Sequence, residues 1–165
     1  MMAGARVAVD RVLAGVLIVI VAVMVVNVIW QVFTRFVLGA PSSYTEELAR
    51  YLLIWVSLLG GAYAAGQRMH LAIDVVTSRL TDAHKASMDT FIHVAVLVFA
   101  FTAMVVGGFR LVYLSFALEQ MSAALRLSLG YVYLVVPISG LLVMFYTTGF
   151  LMDHLASRRS PAPQR

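Results

Sequence analysis

Positions 12–33 contain no aspartate, glutamate, lysine or arginine. A helix of that length rises about 33 Å, enough to cross a hydrocarbon core of about 30 Å. Three more apolar stretches follow, near 48–65, 91–109 and 130–152, and the 91–109 stretch is open to extension as far as Leu118. Together they occupy most of the 165 residues. Composition agrees: 62% of residues are hydrophobic and 12% are charged, where a soluble domain carries about 25% charged. The expected fold is therefore all-α, an integral membrane protein of four transmembrane helices forming a single domain over 1–156. The segment 157–165 is expected to be a disordered cytoplasmic tail. The first stretch is longer than a signal-peptide core, and no small-residue cleavage site follows it, so it reads as a retained helix.

Arginine and lysine placement orients the bundle. With the N-terminus inside, Arg6, Arg11, Arg68, Arg79, Lys85, Arg158, Arg159 and Arg165 are cytoplasmic, against Arg35, Arg50, Arg110 and Arg126 outside. That excess places both termini in the cytoplasm. The net charge of +4 then reflects topology and lipid headgroups rather than nucleic acid. Between helices two and three, Leu71, Val75, Val76 and Leu80 fall near one side of a helix. This pattern suggests a short amphipathic segment on the membrane surface, with an irregular loop as the alternative.

Few residues offer chemistry. The absence of cysteine excludes disulfides and thiolate sites. Of four histidines only His93 lies inside a span, so a bis-histidine haem lacks its second ligand, and no metal or cofactor is expected. No helix carries a central acid, and no broken Gly/Pro-rich pair of half-helices appears, as a self-sufficient ion-coupled carrier requires. Pro137 predicts a kink in the last helix. Nothing suggests an enzyme.

The densest polar cluster is Tyr44-Thr45-Glu46-Glu47-Leu48-Ala49-Arg50-Tyr51. Thr45 reads as a helix cap, and the two carboxylates suit the positive end of the helix dipole. Glu46 and Arg50 stand four apart and can pair; contact with a partner subunit is the alternative, compatible with pairing. Small residues recur along the second helix at Ser57, Gly61 and Ala65, with Gly60 and Ala64 beside them. Their default role is packing within the four-helix unit, with a partner surface as the sharper option. Trp30, Trp55, Tyr44, Tyr131 and Tyr133 suit membrane-interface anchors.

Several segments in order resemble one family. They are Asn27, Gln31-Val32-Phe33-Thr34-Arg35-Phe36, Tyr44 to Arg50, Ile54-Trp55, Gly60-Gly61-Ala62, His70-Leu71-Ala72-Ile73-Asp74, Gly130-Tyr131 and Pro137-Ile138-Ser139-Gly140. The chain resembles the small membrane subunit of tripartite ATP-independent periplasmic (TRAP) transporters, bacterial importers of carboxylates. One departure is Ser122-Ala123-Ala124-Leu125, where the family often has a proline. The resemblance implies residence in the inner membrane and two partners, a large permease subunit and a periplasmic binding protein. The large subunit would hold the sodium and substrate sites, and the small one would extend the stationary scaffold. It also implies that Glu46, Glu47, Arg50, Trp55, Gly60, Gly61 and Pro137 serve subunit contact or architecture, with His70 and Asp74 marking a cytoplasmic turn. Competing readings are an autonomous multidrug-type carrier, a haem or quinone anchor of a redox enzyme, and the small subunit of a tripartite tricarboxylate system.

Overall fold

The computed structural model describes residues 2–40, 42–67 and 82–159. Helix α1 covers Met2–Phe36 and α2 covers Ser43–Gly66. Helix α3, Asp82–Phe99, passes through a π-helical stretch, Ala100–Val106, into α4, Gly107–Ala117. A short α5, Leu129–Tyr133, leads into α6, Val135–Arg159. Among the described residues four segments are long and apolar enough to cross a membrane: Gly4–Phe36, Ser43–Gly66, Thr90–Ala117 and Leu129–Met152. The expected amphipathic segment falls largely on residues outside those described, as do His70 and Asp74. The end of the expected tail, from position 160, lies outside them too, while α6 runs to Arg159.

Helix α1 is rich in valine and isoleucine, β-branched residues that lower helix propensity in water. In lipid that preference is overruled, because only a helix satisfies every backbone amide and carbonyl within one segment. At 35 residues it is about 52 Å long, more than a bilayer core needs, so it tilts or extends beyond the core.

The last helix is the centre of the bundle. Of its span 39% is buried, against 11% for each of the other three. Its buried residues, Val135, Tyr146 and Phe150, join Leu13 of α1 and Leu59 of α2 in one apolar cluster. Pro137 is fully buried. It lacks the amide that would bond the Tyr133 carbonyl, and α5 passes into α6 at Leu134, where the amides of Leu134 and Ile138 still bond the Gly130 and Leu134 carbonyls at 3.2 and 3.3 Å. Pro137 thus costs the helix one bond, while its path continues through Leu134 in right-handed helical conformation.

The π-helical stretch lies against this proline-bearing helix. An amide-to-carbonyl bond five residues apart, Gly107 to Thr102, marks one extra residue inserted into the helix. The Thr102 hydroxyl also donates to the Val98 carbonyl at 2.7 Å. Glycines let the two helices meet. A Cβ on Gly140 would stand 2.7 Å from Met104, and one on Gly108 2.9 Å from Pro137.

Candidate functional site: the two ends of the bundle and the outer face of α2

At one end, Glu47 holds a loop. The chain from 118 to 128 folds back on itself through Gln120 N–H to Ser115 O at 3.0 Å, Ser122 N–H to Leu127 O at 2.9 Å and Leu129 N–H to Gln120 O at 2.9 Å. Two non-glycine residues, Glu119 (φ 48) and Arg126 (φ 52), take left-handed conformations there, each at a steric cost. Between them the amides of Ala123, Ala124 and Leu125 point at one carboxylate. Ala123 N–H donates to Glu47 Oε1 at 3.1 Å, and Ala124 and Leu125 N–H donate to Oε2 at 2.8 Å each. Tyr51 adds its hydroxyl to Oε1 at 2.7 Å. Four donors and no acceptor around one carboxylate make a site for the ionised form. The proline-free Ser122-Ala123-Ala124-Leu125 therefore has a physical use, since proline at 123, 124 or 125 would remove a donor.

The start of α2 differs from the sequence expectation. Ser42, not Thr45, takes the cap position, and its side chain makes no capping bond. Thr45 lies in the first turn and donates its hydroxyl back to the Ser42 carbonyl at 2.8 Å. Its own carbonyl accepts from the buried Asn27 side chain at 2.8 Å, which fastens α1 to α2 where an unpaired amide would be costly. Glu46 and Arg50 do pair, Arg50 Nη2 to Glu46 Oε1 at 3.4 Å, with both side chains 67% exposed.

Trp55 bonds within the bundle. Its indole N–H donates across the bundle to the Val132 carbonyl at 3.1 Å, one residue before the carbonyl whose i+4 amide Pro137 lacks. Trp30, Tyr44 and Tyr131 are exposed, as anchors are.

At the opposite end the buried Tyr146 donates its hydroxyl to an Asp10 carboxylate oxygen, and Arg6 lies over the Phe150 ring at 4.8 Å. The first turns of α1 and the later turns of α6 therefore meet at one end of the bundle. Asp10 was missed by a search for acids inside the spans because it sits two residues before the charge-free run. Its i, i+4 spacing from Arg6 was the available signal.

The small residues of α2 divide. Ala62 is buried, and Gly66 gives room to the Tyr146 ring, 2.7 Å from where a Cβ would stand. A Cβ on Gly60 or Gly61 would meet nothing within 4 Å. The bundle therefore leaves room for a side chain at both positions among the described residues, while the default expectation for the stripe is packing within the four-helix unit. Among the described residues no group of three or more His, Asp or Glu is placed to hold a metal ion.

The fold defines a multi-pass helical membrane protein whose polar side chains chiefly bond its own backbone. Residues 24–157 match the DctQ component of tripartite ATP-independent periplasmic transporters, and the chain belongs to that family. It is 32% identical over 91 residues to the sialic acid TRAP transporter small permease protein SiaQ of Vibrio cholerae, covering 55% of this chain and 52% of that protein. It is 26% identical over 115 residues to the sialic acid TRAP transporter permease protein SiaT of Haemophilus influenzae, covering 70% of this chain and 18% of that one. It is 30% identical over 101 residues to the isethionate TRAP transporter permease protein DctMQ of Oleidesulfovibrio alaskensis, covering 61% and 16%. The chain thus spans about half the length of the small relative and less than a fifth of the two long ones.

Proposed function

We propose that this chain is the small permease subunit of a TRAP-type secondary transporter. It braces a large permease subunit during sodium-coupled uptake of a carboxylate delivered by a periplasmic binding protein. It lies in the inner membrane with both termini in the cytoplasm. It carries out no catalysis and holds no cofactor, because the substrate and sodium sites belong to the large subunit. Glu46, Glu47, Arg50, Trp55, Gly60, Gly61, His70, Asp74 and Pro137 serve architecture or subunit contact.

One observation supports the scaffold role above the others. The bundle is tied at both ends, by Glu47 to the 118–128 loop and by Asp10 to Tyr146. A helix bundle fastened at both ends suits a stationary brace better than an alternating-access carrier, which needs parts that rock. The matching ends also support the orientation, since both terminal helices meet at the end richer in arginine. The test is uptake in vesicles that carry the large subunit with or without this chain, under a sodium gradient. Uptake that requires the chain is the expected outcome. Equal uptake without it contradicts the proposal.

A further inference from the structure

Two features of the outer face of α2, and one comparison, point beyond membrane lipid. Arg50, Leu53, Ser57 and Gly61 are exposed and follow one another at three- and four-residue steps, which places them on one side of the helix. Beside them an apolar groove of about 510 Å³ runs between α1 and α2, walled by Met24, Val25, Val28, Ala49 and Leu53 and bordered by Arg50.

Charge is the first feature. Glu46 and Arg50 point out of the bundle, each 67% exposed, and are joined by one contact at 3.4 Å. Ionisable side chains within membrane spans usually face protein, water or one another in close pairs, because lipid solvates them poorly. A second chain with polar groups at this level would complete the weak pair.

Gly60 and Gly61 are the second feature. The bundle leaves open the space their side chains would fill. Towards lipid a glycine weakens the helix and contributes no contact. Against another helix it permits close backbone approach, the main source of helix association in a bilayer. On the third span Phe91, Val98, Phe101 and Phe109 are all more than half exposed, as bulky side chains facing lipid are.

The relatives supply the comparison. In two of them the matched segment is 18% and 16% of one long permease polypeptide, so in those proteins a much larger membrane chain is tethered beside it. On this basis, and on the small-subunit reading above, we propose that the large permease subunit packs on the α2 face carrying Arg50, Leu53, Ser57 and Gly61. One of its helices seats in the α1–α2 groove. The α3 face is left to lipid.

The openness around the glycines makes the test clean. The first side-chain atom at Gly60 or Gly61 meets nothing within 4 Å among the described residues, so leucine at both is expected to leave the subunit folded, as its gel-filtration profile and Tm will report. The tagged full-length double variant is purified from native membranes in mild detergent, and the large permease is identified by mass spectrometry. A drop of about tenfold or more in the recovered permease is expected, equivalent to about 1.4 kcal/mol. A photo-crosslinking residue at Ser57 should attach to that permease, and the same residue at Phe101 should not. Recovery of the permease at the wild-type ratio by the double variant overturns the surface, as does crosslinking from Phe101 alone. Failure of the wild-type chain to recover any large permease overturns the small-subunit reading, and this surface with it.

Discussion

The carboxylate of Glu47 accepts the amide hydrogen of Ala124 at 2.8 Å, across 77 positions of sequence. With Ala123 and Leu125 donating beside it, one side chain sets the shape of the loop that leads into the central helix. Glu47→Gln is therefore not conservative. A glutamine presents one acceptor oxygen, and its NH₂ faces donors it cannot satisfy. Amides 123–125 are expected to exchange hydrogen markedly faster in the variant, with helices α1 and α6 unchanged. Wild-type protection at those amides would contradict the assignment.

Tyr146→Phe removes one hydroxyl from a fully buried ring and leaves Asp10 without that donor. Hydrogen bonds between membrane helices are worth about 0.6–1.7 kcal/mol. A loss in that range is expected from reversible unfolding in mixed detergent, with little change in helix content. An unchanged midpoint would show that the contact between the chain's two end helices contributes nothing.

Gly66→Ala and Gly61→Ala should behave oppositely. A methyl at Gly66 meets the Tyr146 ring at 2.7 Å, and overpacking of that kind costs about 1–3 kcal/mol. A methyl at Gly61 enters open space and gains up to about 1 kcal/mol of helix propensity. Thermal unfolding of the isolated chain distinguishes them. Equal effects would contradict the placement of both.

Arg50→Ala separates the fold from the assembly. An exposed pair such as Glu46–Arg50 contributes about 0–1 kcal/mol, so the isolated subunit should keep its stability. Recovery of the large permease, or substrate uptake, should fall. Normal values for both would remove Arg50 from the contact face.

The helices were legible in the sequence because lipid leaves an apolar segment no alternative to helix. The cluster from Thr45 to Tyr51 was legible as a place but not as an arrangement. Glu46 and Arg50 pair locally, four residues apart, so spacing alone revealed them. Glu47 has distant partners, and its ligands are backbone amides that any residue except proline supplies, so no side-chain motif marked Ala123 to Leu125. Trp55 reads as an anchor in the sequence because its bond to the Val132 carbonyl joins positions 77 apart and is a tertiary feature. The π-helical stretch Ala100–Val106 had no signature beyond Gly107 and Gly108 following it. Gly60, Gly61 and Gly66 looked alike in sequence, and only the position of Tyr146 separates them.

The account depends most on the chain being one part of a larger carrier. The decisive measurement is purification of the tagged full-length chain from native membranes in mild detergent, with identification of what remains bound. One large TRAP permease in fixed ratio is the predicted result. Recovery of the chain alone, still able to move a solute into liposomes, would contradict it.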